Sequence, residues 1–204
     1  MENETTGKLT KVFYVTLGIL AIFIITGFMF PRQLESVTTD VQGFIAITFG
    51  WYYLIIVTIF LLVCLFFVVS PFGKIRLGKE EDRPEYGYLT WFAFLFSAGL
   101  GVGLLFFGAA EPIAHYAIDS PTTPEGSGEA ALESMKYVFL HWGFHGWAIY
   151  AIVAICLAYF NFRKEMPGLI SATLSPIINP KSFLGEMIDV IAIIATLSGI
   201  ATTL

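Results

Sequence analysis

VQGFIAITFGWYYLIIVTIFLLVCLFFVV, residues Val41–Val69, runs for 29 residues without a charged side chain. A hydrocarbon core of about 30 Å is crossed by about 20 helical residues rising 1.5 Å each, so this stretch predicts a membrane span. The same signature recurs on both sides of it. Val12–Phe30 gives 19 charge-free residues, Leu89–Ala110 gives 22, Tyr137–Phe160 gives 24 and Val190–Leu204 gives 15. The expectation is an all-α integral membrane protein with four complete transmembrane helices and part of a fifth, near 12–30, 47–69, 89–110, 137–160 and 188–204. A β-barrel is excluded, because its strands alternate residue types over about 10 residues and these runs do not.

The chain of 204 residues is 56% hydrophobic and 13% charged, about half the charge of a soluble domain. The first run is a retained helix and not a signal peptide, since Phe28-Met29-Phe30-Pro31-Arg32 follows it in place of a small-residue cleavage site. Cys64 and Cys156 fall inside spans with no metal or disulfide spacing and are expected to be reduced packing residues. No nucleic-acid partner and no cofactor are expected.

Lys and Arg alternate along the chain. Lys8 and Lys11 precede the first span, Arg32 follows it, and Lys74, Arg76, Lys79 and Arg83 fill the next connection. The connection from Glu111 to Met135 has neither Lys nor Arg but five acids, and the fourth has Arg163, Lys164 and Lys181. The positive-inside rule then places the N-terminus in the cytoplasm of a multi-pass cell-membrane protein. Pro31 is expected to halt the first helix, with Pro31–Asp40 as a loop, and Pro112 to end the third span. The Pro-rich stretch from Met166 to Gly185 reads as a kinked connection with a short interfacial helix.

Two stretches carry candidate chemistry. Ser97-Ala98-Gly99-Leu100-Gly101-Val102-Gly103 lies mid-span. Its small residues permit close helix packing, and they also weaken the helix and bare its backbone to a ligand, as transporters require at mid-membrane; the glycines alone leave both readings open. The second is His141-Trp142-Gly143-Phe144-His145-Gly146-Trp147-Ala148-Ile149-Tyr150. On one continuous helix, Trp147 lies about 60° to one side of Tyr150 and Trp142 about 80° to the other, a fan of rings about 140° wide. Interfacial anchoring is one explanation, but Tyr150 is too deep in its span for an anchor. A concave set of π-faces suits a quaternary ammonium group.

His141 and His145 have no acidic or Cys partner nearby in sequence, and Trp142 stands where a zinc-protease motif needs Glu, so no metal site is expected. Glu111, Glu186 and Asp189 read as charges at the membrane interface. No nucleophile–base pair appears in the spans, which excludes an enzyme reading.

The stretches GLGVGLLFFGAAEPIAHY (Gly99–Tyr116), LHWGFHGWAIYA (Leu140–Ala151), RKEMPGLIS (Arg163–Ser171) and IDVIAIIAT (Ile188–Thr196) together resemble the betaine/carnitine/choline transporter family. The resemblance implies a leucine-transporter-like fold, two leading helices followed by two inverted repeats, of which this chain holds the N-terminal part. It implies secondary active uptake of a quaternary ammonium osmolyte, glycine betaine first, driven by sodium as coupling ion. By matching positions, Trp142, Trp147 and Tyr150 would belong to the aromatic box, with Gly99, Gly101 and Gly103 beside it. Ser97 and Leu100, through backbone carbonyls, would hold sodium, with Thr196 on the fifth span a candidate for a second ion position. Choline or carnitine with other coupling is the alternative within the family. A truncated, non-transporting membrane fragment is the alternative outside it, because the inverted partner repeat lies beyond this chain. Homo-oligomeric assembly is left open for a full-length chain.

Overall fold

A computed structural model describes residues 10–201 and is helical throughout, with no strand among them. The helices are α1 (Lys11–Met29), α2 (Pro31–Val69), α3 (Tyr88–Ala117), α4 (Gly128–Trp142), α5 (Phe144–Ala158), α6 (Ile170–Thr173) and α7 (Phe183–Ala201). A 3-10 turn, Pro71–Lys74, follows α2, and α5 continues into a wider π turn, Tyr159–Arg163. Among the described residues four segments are long and apolar enough to cross a membrane: α1, α2, Gly128–Arg163 and Phe183–Ile200. The third expected span lies inside α3, which is 30 residues long.

Two boundaries differ from the sequence expectation. Pro31 does not open a loop; it is the first residue of α2, which is helical for 39 residues. A proline at the first helical position sacrifices no bond, because that N–H would have no partner, and its fixed φ suits the helix. The Leu34 N–H closes on the Phe30 carbonyl at 3.0 Å, and the Thr38 hydroxyl donates back to the Leu34 carbonyl at 2.8 Å, so Pro31–Asp40 is helix. Pro112 likewise does not end α3, which continues to Ala117. Its missing N–H releases only the carbonyl of Gly108, and the helix closes later, where the Ile118 and Asp119 N–H groups both reach the Ala114 carbonyl at 2.9 Å.

The chain forms two compact units. One comprises the chain up to Tyr52 together with Leu157 onward. In it α1 and α7 pack together, and the apolar groove along them is lined by Val12, Val15 and Ile19 from α1 and by Met187, Val190 and Ile194 from α7. Asp189 of α7 is buried, which corrects its reading as an interface charge. Its two oxygens accept from the Ser171 N–H at 2.9 Å and the Ser171 hydroxyl at 2.7 Å. A buried carboxylate survives where hydrogen bonds compensate its lost hydration, and here α6 supplies them. The segments RKEMPGLIS and IDVIAIIAT therefore meet through one side-chain pair.

The other unit, Tyr53–Cys156, holds α3 packed on α4. Ser127 caps α4, its hydroxyl accepting from the Ala130 N–H at 3.0 Å, and Ala130 is completely buried. Glu133, in the first turns of α4, accepts from the hydroxyls of Thr122 at 2.5 Å and Thr123 at 3.0 Å. The Thr122 hydrogen bond is the largest influence holding its carboxyl below the ordinary range, with Thr123 and Lys136 adding to it against some desolvation. The connection is also tied to the end of α3 by the Gly126 N–H on the Tyr116 carbonyl, 2.8 Å. Both cysteines are free, and the Cys64 thiol points at the Ala148 carbonyl, 3.9 Å away.

Candidate functional site

The aromatic stretch is not one helix. Gly143, with φ −89° and ψ −150°, separates α4 from α5. Its N–H still reaches the Phe139 carbonyl at 3.0 Å, and its carbonyl accepts the Trp147 N–H at 3.2 Å, so Gly143 closes α4 and opens α5. The bend depends on missing side chains. A Cβ at Gly143 would sit 2.1 Å from the Phe139 carbonyl oxygen, and one at Gly146 would sit 2.4 Å from that of His141.

This break changes the expected fan of three rings, whose 100° steps required a continuous helix from Trp142 to Tyr150. Trp147 and Tyr150 do share one face of α5, three residues apart, with ring centroids 6.1 Å apart and planes inclined by 53°. Both are exposed, Trp147 at 38% and Tyr150 at 63%. Trp142 belongs to α4 and lies nearly parallel to Phe107 of α3, centroids 6.1 Å apart at 19°. Its indole N–H donates to Glu111 Oε2 at 2.5 Å.

Glu111 is therefore not a free interfacial charge. Its side chain is only 15% exposed, and Oε1 also contacts His141 Nδ1 and lies 3.6 Å from His115 Nε2. Sequence reading passed over Phe107, Glu111 and His115 as site residues because nothing local ties them to Trp142. The visible signal was an acid followed by Pro112 at the end of an apolar run, in the same motif as the glycines.

Around the glycines the backbone of α3 is helical without interruption. The side chains of Ala98 through Val102 lie outside the described residues, so the environment of Gly99, Leu100 and Gly101 does too. At Gly103 a Cβ would meet nothing within 4 Å. The Ser97 hydroxyl donates to the Phe94 carbonyl at 3.3 Å, and Ser97 and Leu100 carbonyls inside an intact helix are turned along its axis. Holding an ion there requires the helix to open locally. Thr196, exposed on α7, donates its hydroxyl to the Ala192 carbonyl at 2.8 Å and belongs to the other compact unit.

Comparison with known proteins identifies the family. The family described as betaine/carnitine/choline family transporter matches residues 11–204. The chain is 51% identical over 198 residues, 96% of its length, to the glycine betaine transporter OpuD of Bacillus subtilis (strain 168), and covers 39% of that protein. It is 41% identical over 95% of its length to an ectoine/hydroxyectoine transporter of Virgibacillus pantothenticus, covering 39% of it. It is 39% identical over 95% of its length to the osmo-independent choline transporter BetT1 of Acinetobacter baylyi, covering 37% of it. The chain thus spans about two fifths of the length of these curated relatives. The chain belongs to the betaine/carnitine/choline family of transporters.

Proposed function

We propose that this chain supplies the first spans and one aromatic wall of a sodium-driven transporter that takes up glycine betaine across the cell membrane, with its N-terminus in the cytoplasm. The carrying observation is the open pair of Trp147 and Tyr150 on one face of α5. A trimethylammonium group has no N–H to donate, so hydrogen-bond acceptors cannot hold it with specificity, whereas electron-rich ring faces can. Trp142, held on α4 by Glu111 and Phe107, stands across the Gly143 break as a separate candidate ring. Gly99, Gly101 and Gly103 let α3 open so that the Ser97 and Leu100 carbonyls can turn to the coupling ion, and Thr196 is a candidate for a second ion position. Similarity to the glycine betaine transporter of Bacillus subtilis supports the substrate.

A second reading, choline as substrate, is favoured by the Glu111 carboxylate beside Trp142. Negative potential there favours a net cation over the zwitterionic betaine. Cells lacking their own osmolyte uptake and expressing the protein decide between the two. Labelled glycine betaine accumulates in sodium medium and not when potassium replaces sodium, and excess choline competes weakly. Choline uptake with betaine excluded would select the second reading. No uptake of any quaternary ammonium compound would contradict both, as a non-transporting fragment predicts.

A further inference from the structure

Glu111, His115 and His141 come together from two helices, their ligand atoms all within 4.8 Å of one another. His115 sits one turn beyond Glu111 on α3, and His141 stands in the last turn of α4. The tautomer of His115 follows from its partner. Its Nδ1 lies 3.2 Å from the backbone carbonyl of Asp119, an atom that only accepts, so Nδ1 carries the proton. In the neutral ring Nε2 then presents its lone pair to Glu111 Oε1, 3.6 Å away. Two electron-rich atoms facing each other at this distance mark a place for a cation.

We propose that this cluster is a binding site for a divalent transition-metal ion of the zinc class, held by Glu111 Oε1, His115 Nε2 and His141 Nδ1. Tetrahedral zinc with nitrogen and oxygen ligands sets neighbouring donors about 3.3 Å apart, close to the Glu111–His115 separation. The remaining adjustment falls to His141, whose side chain is the most exposed of the three, at 51%. The His141 Nδ1 proton now directed at Glu111 passes to Nε2 as the metal takes its place, so the neutral ring binds as its other tautomer with no net proton release. The second shell already exists: the Asp119 carbonyl orients His115, and the indole N–H of Trp142 occupies the other Glu111 oxygen. Metal-bound histidines characteristically donate their other N–H in this way. Three protein ligands leave the fourth position open to water. The site joins the end of α3 to α4 one residue before Trp142.

The test is equilibrium binding of Co2+ to the whole protein in lipid, read by visible absorption, with Zn2+ as competitor. One Co2+ per chain with an intense tetrahedral spectrum, displaced by Zn2+, is expected. His115→Ala and His141→Ala should each weaken binding by more than about 100-fold, beyond the loss typical of an outer-shell partner, while His145→Ala leaves it unchanged. Size-exclusion elution identifies any variant that has not folded, and His115→Gln then serves in place of His115→Ala. A weak octahedral spectrum, or binding that survives both histidine substitutions, overturns the site and leaves only a proton between His115 and Glu111. Sodium-dependent uptake in metal-free buffer is measured separately, so failure of the metal site and failure of the transport reading are distinguished.

Discussion

The indole N–H of Trp142 donates to the Glu111 carboxylate at 2.5 Å, joining α4 to α3 across 31 positions of sequence. A hydrogen bond to a charged group contributes about 1.5–3 kcal/mol, and this one fixes the plane of a ring that Phe107 stacks against. Removing the acceptor frees the ring to rotate without removing it.

Glu111→Ala is therefore expected to raise the KM for betaine by about tenfold or more, the free energy of one charge-assisted bond, with a smaller change in kcat. Glu111→Gln retains an acceptor and should recover much of the loss. Initial-rate uptake over a range of betaine concentrations separates the two parameters. An unchanged KM in Glu111→Ala would show that the orientation of Trp142 is irrelevant to substrate.

Gly143→Ala should lower the thermal midpoint, because its Cβ would lie 2.1 Å from a backbone oxygen that cannot move alone. Gly18→Ala in α1, where a Cβ meets nothing within 4 Å, should be neutral or stabilising by about 1 kcal/mol from helix propensity. Thermal unfolding of the two variants in the same detergent makes the comparison. Equal midpoints would show that α4 and α5 do not need the break.

Asp189→Ala strips both partners from Ser171 and should destabilise the protein by about 1–3 kcal/mol, the scale for leaving buried donors unsatisfied. Asp189→Asn keeps one acceptor for the Ser171 N–H and offers its amide to the Ser171 hydroxyl, so it should cost less. Amide exchange at Ser171 reports the effect directly. Protection unchanged in Asp189→Ala would contradict the pairing.

Glu133 gives a pH signature. Its folded carboxyl titrates below the ordinary value, chiefly through the Thr122 hydroxyl, so its anchoring of the connection is complete above the ordinary carboxylate value. That anchoring is lost as pH falls through the lower, folded value. Amide exchange over residues 118–127 should accelerate in that acidic window and not in Glu133→Gln, where the titration is gone. Acceleration of the same size in Glu133→Gln would contradict this.

The spans were legible in the sequence because charge-free length is a one-dimensional property, and Val41–Val69 falls wholly inside α2. Their ends were less so. A proline reads equally as the residue after one helix or the first of the next, and at Pro31 only the Leu34–Phe30 bond decides. The rings of the candidate site were legible as residue types, and Trp147 with Tyr150 as neighbours, since three helical steps bring them together. The placement of Trp142 was not, because Gly143 breaks the periodicity on which the fan was reckoned. Nor was the partnership of Glu111, His115 and Asp189 with residues on other elements, which exists only once those elements pack.

The most direct test of the central claim is equilibrium binding of glycine betaine to the protein carrying Trp147→Ala, Tyr150→Ala, or both with Trp142→Ala. Each desolvated cation–π face contributes about 1–2 kcal/mol, so Trp147→Ala should weaken binding by about 5- to 30-fold and the triple variant further. Affinity unchanged in the triple variant would contradict the account, because none of these three rings would then face the substrate.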